Sequence, residues 1–162
     1  MNVVPLASEH DRSQFDCGVQ VLNDYLKERA GQHAKKEITR TYVALDDGTN
    51  RVIGYYSLCA GALAFSVIPE NLPHHQIPTV LLARLAVDLS AQGQSIGRLL
   101  LLDALTITRL IADNIGVYAM SVDALNQAAF DFYLKYGFKT LLDDQLHLYL
   151  PLKTVRKIQT VQ

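Results

Sequence analysis

An α+β domain with a mixed sheet flanked by helices is what this sequence predicts, on three observations. Two runs rich in β-branched and aromatic residues, Thr39 to Leu45 and Arg51 to Leu58, flank the turn sequence DDGTN and read as a hairpin. A mostly apolar run, Val80 to Val87, passes through the polar loop DLSAQGQSIG into a Leu-rich segment without proline. That order reads as a strand, a loop and a long helix. Third, 162 residues with 49% hydrophobic and 19% charged side chains suit one globular domain with a substantial core.

Taken in order, Asn2 to Leu6 predicts a short edge strand ending near Pro5. Val19, Leu22, Leu26 and Ala30 recur at three or four residues and predict a helix from Val19 to about Lys36, with Asp16 as its cap. The hairpin follows, its second strand extending toward Ala64. Pro69, Pro73 and Pro78 then mark a loop from Ile68 to Thr79. His74 and His75 lie in that loop without further ligands at metal spacing, so no metal site is expected. After the central strand, loop and helix, Val117 to Ala124 predicts a strand. Asn126 to Tyr136 predicts a short helix closed by a left-handed Gly137. Phe138 to Leu141 and Leu146 to Leu150 predict a last strand pair. The domain is expected to span 1–152, with 153–162 as a basic tail holding Lys153, Arg156 and Lys157.

Bulk properties exclude several classes. A net charge of −1 offers no global attraction to nucleic acid, so any such partner must use a local patch. Cys17 and Cys59 have no ligand-like spacing and read as reduced thiols. The first residues show no charged-then-apolar pattern, so no leader is expected. The longest apolar stretch, Leu99 to Ile115, is broken by Asp103, Arg109 and Asp113, short of the roughly 18 residues a membrane span needs. A cytoplasmic protein without a membrane partner is the expectation.

The functional signal starts at the central stretch. A strand feeding a helix through a glycine-containing loop leaves backbone N–H groups free at a helix N-terminus, which is an anion site. The element order, with Leu85-Ala86-Val87 before QGQSIG and then Asn126, Tyr133 and Tyr136-Gly137-Phe138, resembles the GCN5-related N-acetyltransferases from about Asn2 to Leu150. The stretches FDCGVQVLNDYL, VIGYYSL, LARLAVDLSAQGQSIG and ALNQAAFDFYLKYGF are similar to one branch, the acetyltransferase toxins of type II toxin–antitoxin modules.

The resemblance implies a mostly antiparallel mixed sheet with a splayed central strand, and acetyl-CoA as co-substrate. It also implies acetylation of the α-amino group of aminoacyl-tRNA, a homodimer, and a ribbon-helix-helix antitoxin. In that family a Q/R-x-x-G-x-G/A loop binds the pyrophosphate, and Gln92, Ser95 and Gly97 hold its motif positions. Ser95 departs from the usual glycine. Gly93, Gln94, Ile96 and Arg98 complete the expected cofactor loop, while Leu85, Ala86 and Val87 are expected to offer backbone groups to pantetheine.

Ser95 reads from its chemistry as a helix cap or a hydroxyl donor to phosphate, and as a weakening of the loop if the position needs a positive φ; Asn126 reads as a cap, a cofactor contact or both. Tyr133 fits a packed face with Phe130 and Leu134; the resemblance makes it the general acid that protonates the leaving thiolate. A thiol has a pKa of about 8.5 and a phenol about 10, so a positioned phenol can donate to a forming thiolate. Many relatives carry a Glu on the central strand as base, yet Val80 to Val87 has no carboxylate. A lysine amine, at about 10.4, needs such help, whereas an α-amine at about 7.7–8.0 needs much less. Asp88 or an ordered water stays open as an alternative base.

For a nucleic-acid acceptor the candidate surface is Lys27, Lys35, Lys36 and Arg40, which also read as an ordinary solvated helix face. Two other readings stand beside the toxin: an acetyltransferase of a small amine or peptide N-terminus, and a non-catalytic CoA- or protein-binding module.

Overall fold

The hairpin, the most local of the expected elements, sets the first half of the sheet. In a computed structural model describing residues 2–160, the strands are β1 (Val3–Pro5), β2 (Arg40–Leu45), β3 (Val52–Ala64), β4 (Gln76–Val87), β5 (Ala119–Asp123), β6 (Lys139–Thr140) and β7 (His147–Pro151). The helices are α1 (Gln20–Asp24), α2 (Ala30–Lys35), α3 (Ile96–Ala112), α4 (Gln127–Lys135) and α5 (Leu152–Thr160). The strands follow the order β1-β2-β3-β4-β5-β7-β6 in a mixed sheet, and the α+β class is as expected. The chain divides into two compact units, Met1–Cys59 with Ala83–Ala104, and Ala60–Leu82 with Leu105–Gln162.

In the first unit β1 and β3 both pair antiparallel with β2, placing Val4 opposite Val43 and Ser57 opposite Thr41. Phe15, Tyr25, Leu26, Val43, Tyr55 and Ala86 form its core. Burying a side chain of this size contributes about 1.5–3 kcal/mol. Gly54 lets α3 close on β3: a Cβ there would stand 2.9 Å from Leu100 Cδ1 and 3.4 Å from the Ala86 carbonyl oxygen.

The expected first helix is present with an irregularity. Between α1 and α2 the segment Tyr25–Arg29 is π-helical, and the Ala30 N–H bonds the Tyr25 carbonyl. The wider turn stacks Tyr25 under Ala30 while keeping Leu26 inward, and all three are buried. Asp16 does not cap this helix. Its carboxylate accepts from the Gly18 N–H (2.9 Å) and from Asn23 Nδ2 (3.0 Å), fastening the turn that precedes α1.

In the second unit β4 pairs parallel with β5 over Thr79–Leu82, and β5 pairs antiparallel with β7. Glu70 receives the hydroxyls of Tyr118 and Tyr149, each at 2.6 Å. These bonds offset the burial that would otherwise raise its carboxyl, and its pKa lies below the usual value. The expected proline loop is shorter than its prolines suggest. β4 already begins at Gln76, because Ile77 and Thr79 are buried on the sheet. The segment expected as a basic tail, 153–162, is helical over Leu152–Thr160, and its last two positions lie outside the described residues. Leu152 and Val155 are buried, and Arg156 reaches Asp113 at 2.9 Å. Among the described residues no helix is long and apolar enough to cross a membrane.

Candidate active site

The loop into α3 is shaped before any ligand is considered. Asp88, 4% exposed, accepts from the Asp16 N–H (2.9 Å), the Ser90 N–H (2.9 Å) and the Ser90 hydroxyl (2.6 Å), and pairs with Arg51 at 3.4 Å. Burial would raise its pKa, but the Ser90 and Asp16 bonds and the Arg51 charge hold it below the ordinary carboxylate value. With its oxygens so engaged, Asp88 is a structural anchor, and the idea of it as general base is set aside. Gln92 Nε2 donates to the Val87 carbonyl at 3.0 Å, tying the loop to the end of β4.

Gly93 (φ +79°) and Ser95 (φ +63°) both lie in the left-handed region. Ile96 is buried and pins the first turn of α3, while Gln92, Gly93, Gln94, Ser95 and Arg98 are exposed. The Ser95 carbonyl accepts the Leu99 N–H at 3.1 Å, the first helical bond. The N–H groups of Ile96, Gly97 and Arg98 therefore have no acceptor within the helix. Left-handed residues beside a positive helix end make a concave, donor-lined surface that fits a phosphate group. Side-chain caps adopt extended backbone, so the left-handed Ser95 does not match the expected capping role. It is instead a strained residue where glycine would be relaxed. Leu85, Ala86 and Val87 end β4 just ahead of this loop; Ala86 is buried, leaving only its backbone for a ligand.

Tyr133 and Asn126 share α4. Asn126 Oδ1 accepts the Ala129 N–H at 2.9 Å, so the capping half of its expected role is present. Gly137, at φ +93°, closes the helix. Tyr133 is 5% exposed, packed against Phe132 and Phe138 with ring centres at 5.2 and 5.3 Å. Among the described residues its hydroxyl has no hydrogen-bond partner, and burial alone pushes its pKa up. A phenol in that state keeps its proton throughout the physiological range. It is a donor awaiting an acceptor.

The basic candidates separate. Lys27 and Lys35 line one cleft of about 400 Å³, together with Arg12, Glu28 and Gln32. Arg40 is turned to the Ala34 carbonyl (2.7 Å) and Glu37 (3.8 Å), and Lys36 is exposed outside that lining. Sequence reasoning missed Arg12, which lies far from Lys27 in the chain. It also missed Arg84, although a lone charge within the apolar run of β4 was a visible signal.

Comparison with known proteins identifies the family and the fold. The acetyltransferase (GNAT) domain profile matches residues 37–140. A tRNA-acetylating toxin of Mycobacterium tuberculosis is 36% identical over 157 residues, covering 94% of this chain and 93% of the relative. A crystal structure of a tyrosine-to-phenylalanine mutant of KacT superposes with a TM-score of 0.93 at 30% identity, covering 97% and 98% of the two chains. AtaT complexed with acetyl-methionyl-tRNAfMet gives a TM-score of 0.91 at 29% identity, covering 98% of each. A mutant AtaT bound to acetyl-CoA and the C-terminus of its antitoxin AtaR gives 0.86 at 30% identity, covering 98% of each. A left-handed donor loop at the head of α3 and a protonated tyrosine on α4 thus sit on a fold shared along almost the whole chain: it belongs to the acetyltransferase (GNAT) family and is an acetyl-CoA-dependent N-acetyltransferase.

Proposed function

We propose that this enzyme is a toxin that acetylates the α-amino group of aminoacyl-tRNA and so blocks translation. The observation that carries the reading is the state of the titratable groups. Tyr133 is protonated and unpartnered, Asp88 is consumed by its own hydrogen bonds, and β4 holds no carboxylate. Such a set suits an amine that is largely neutral near pH 8, which an α-amine is and a lysine is not. The 36% identity to a tRNA-acetylating toxin along 94% of the chain points to the same acceptor.

Acetyl-CoA, when bound, supplies the activated acyl group and a thiolate leaving group. The N–H groups of Ile96, Gly97 and Arg98 would hold its pyrophosphate, helped by the conformations of Gly93 and Ser95 and by the Arg98 charge. Gln92 and Gln94 flank that cradle. Backbone groups of Leu85, Ala86 and Val87 would orient the pantetheine. Tyr133 would place its hydroxyl proton on the leaving sulfur, and Asn126 would fix the start of the helix that carries it. Lys27 and Lys35, with Lys36 and Arg40 farther along, would meet tRNA phosphates. A homodimer, a ribbon-helix-helix antitoxin that neutralises it and a cytoplasmic site of action complete the proposal, supported by the resemblance to the toxin branch.

Incubation with labelled acetyl-CoA and charged tRNA tests the reading. Label is expected on the aminoacyl moiety. No label there, with robust transfer to small amines, would replace the toxin by a metabolic acetyltransferase. Failure to bind acetyl-CoA would leave only a binding module.

A further inference from the structure

β4 carries one charged residue, Arg84, within its apolar run. Side chains alternate faces along a strand, so Arg84 shares a face with Ala86, which packs in the core with Phe15, Cys17, Tyr25 and Tyr55. The Arg84 guanidinium carbon lies 3.4 Å from the centre of the Tyr25 ring. That ring is itself fixed. It is 2% exposed, and its hydroxyl lies 2.8 Å from Thr39 Oγ1 and 3.1 Å from His33 Nδ1.

Arg84 is partly buried, yet among the described residues no carboxylate pairs with it and no hydrogen bond engages its N–H groups. Tyr55 and Cys59 feel its charge, but burial keeps both neutral, so neither is a counter-ion. The aromatic face offsets part of what leaving water costs a cation. Five donors in a rigid planar fork remain for a ligand, the geometry that suits an oxyanion approached edge-on.

The position narrows the ligand. Arg84 directly precedes Leu85, whose backbone the proposed function assigns to pantetheine, so it stands one residue from where acetyl transfer is expected. In an aminoacylated RNA end, the oxyanion nearest the reacting amine is the phosphodiester on the 5′ side of the terminal nucleotide. Lys27, two residues beyond Tyr25, lines the cleft with Arg12 and Lys35 and offers cations for further phosphates.

We propose that Arg84, held over the Tyr25 ring, binds this last phosphodiester and so positions the aminoacyl end for transfer. The inference rests on the reading of charged tRNA as acceptor. Arg84→Gln and Arg84→Lys in the full chain test it, with charged tRNA and with an aminoacyl-adenosine that carries no phosphate. Arg84→Gln should raise KM for charged tRNA about tenfold or more. Its salt dependence should weaken by about one phosphate contact. Acetyl-CoA affinity and Tm should stay unchanged, and the phosphate-free acceptor should react as with wild type. Arg84→Lys should recover the salt dependence and only part of the KM, and it decides the matter alone if the Gln variant does not fold. An unchanged KM for charged tRNA, an equal loss on aminoacyl-adenosine, or a loss confined to acetyl-CoA affinity would each overturn the assignment. Wild type failing on charged tRNA would remove the acceptor reading itself, and the Arg84 role with it.

Discussion

At the head of α3 the side chains of Gln92, Gln94, Ser95 and Arg98 are exposed, and the proposed pyrophosphate site is made of backbone N–H groups. On α4 the arrangement is reversed. There the proposed catalytic role falls to one hydroxyl, that of Tyr133, at the end of a ring that is otherwise ordinary core. A surface made of backbone depends on conformation and tolerates many side chains. A site made of one phenol depends on a single atom and tolerates no chemical substitute. Mutations should therefore fail in different ways in the two regions, through shape in the first and through proton transfer in the second.

Removing the phenol gives the largest expected effect. Tyr133→Phe should lower turnover by roughly 10²–10⁴-fold, the range of a lost general acid, with Tm and acetyl-CoA affinity held. Because burial raises the pKa of Tyr133, the alkaline limb of kcat in the wild-type enzyme should lie above the ordinary phenol value of about 10. A limb due to this residue near pH 8 would contradict its buried, protonated state.

Next comes the anchor of the loop. Asp88→Ala leaves the Asp16 and Ser90 N–H groups without their acceptor and should cost about 2–3 kcal/mol in denaturant unfolding. The folded pKa of Asp88 lies below its unfolded value of about 3.9. Its ionised form therefore stabilises the fold fully above about pH 5, and that contribution is lost as pH falls through the folded value. Wild type and Asp88→Asn should differ in stability at pH 7 and converge on acidification. A gap that widens below pH 4 would refute the sign.

Two smaller changes probe conformation directly. A Cβ on Gly93 would meet nothing within 4 Å, so Gly93→Ala acts only through its left-handed φ. About 1 kcal/mol of strain is expected, read as a several-fold loss of acetyl-CoA affinity. Ser95→Gly goes the other way, relieving strain at φ +63°. Its net gain should be at most about 1 kcal/mol, since glycine also loosens the unfolded chain. Calorimetry should find Tm raised by about 2–4 °C at most, with acetyl-CoA affinity kept within about twofold. If Ser95→Gly melts lower and Gly93→Ala binds normally, the loop does not work through its backbone geometry.

Much of the fold was legible because its determinants are local. The DDGTN turn, the Asn126 cap, the left-handed Gly137 and the apolar run of β4 each act within a few residues, and each appears where expected. What escaped depends on partners distant in sequence. Asp16 looked like a cap but serves Gly18 and Asn23, while Asp88, open as a base, is claimed by Asp16, Ser90 and Arg51. The π-helical turn at Tyr25–Arg29 follows from three buried side chains competing for one face, which periodicity alone does not resolve.

By itself the sequence determined the order of elements as far as β7, the acetyltransferase family and the loop that would hold a pyrophosphate, since these rest on spacing along the chain. Tertiary structure alone decided the charge states and commitments of single groups. It keeps Tyr133 protonated by burial, spends Asp88 on hydrogen bonds and holds Ser95 in a strained conformation. It also lays Arg84 on Tyr25 with its donors unengaged. A side chain's pKa and availability depend on which atoms surround it, and folding, not spacing, chooses those neighbours.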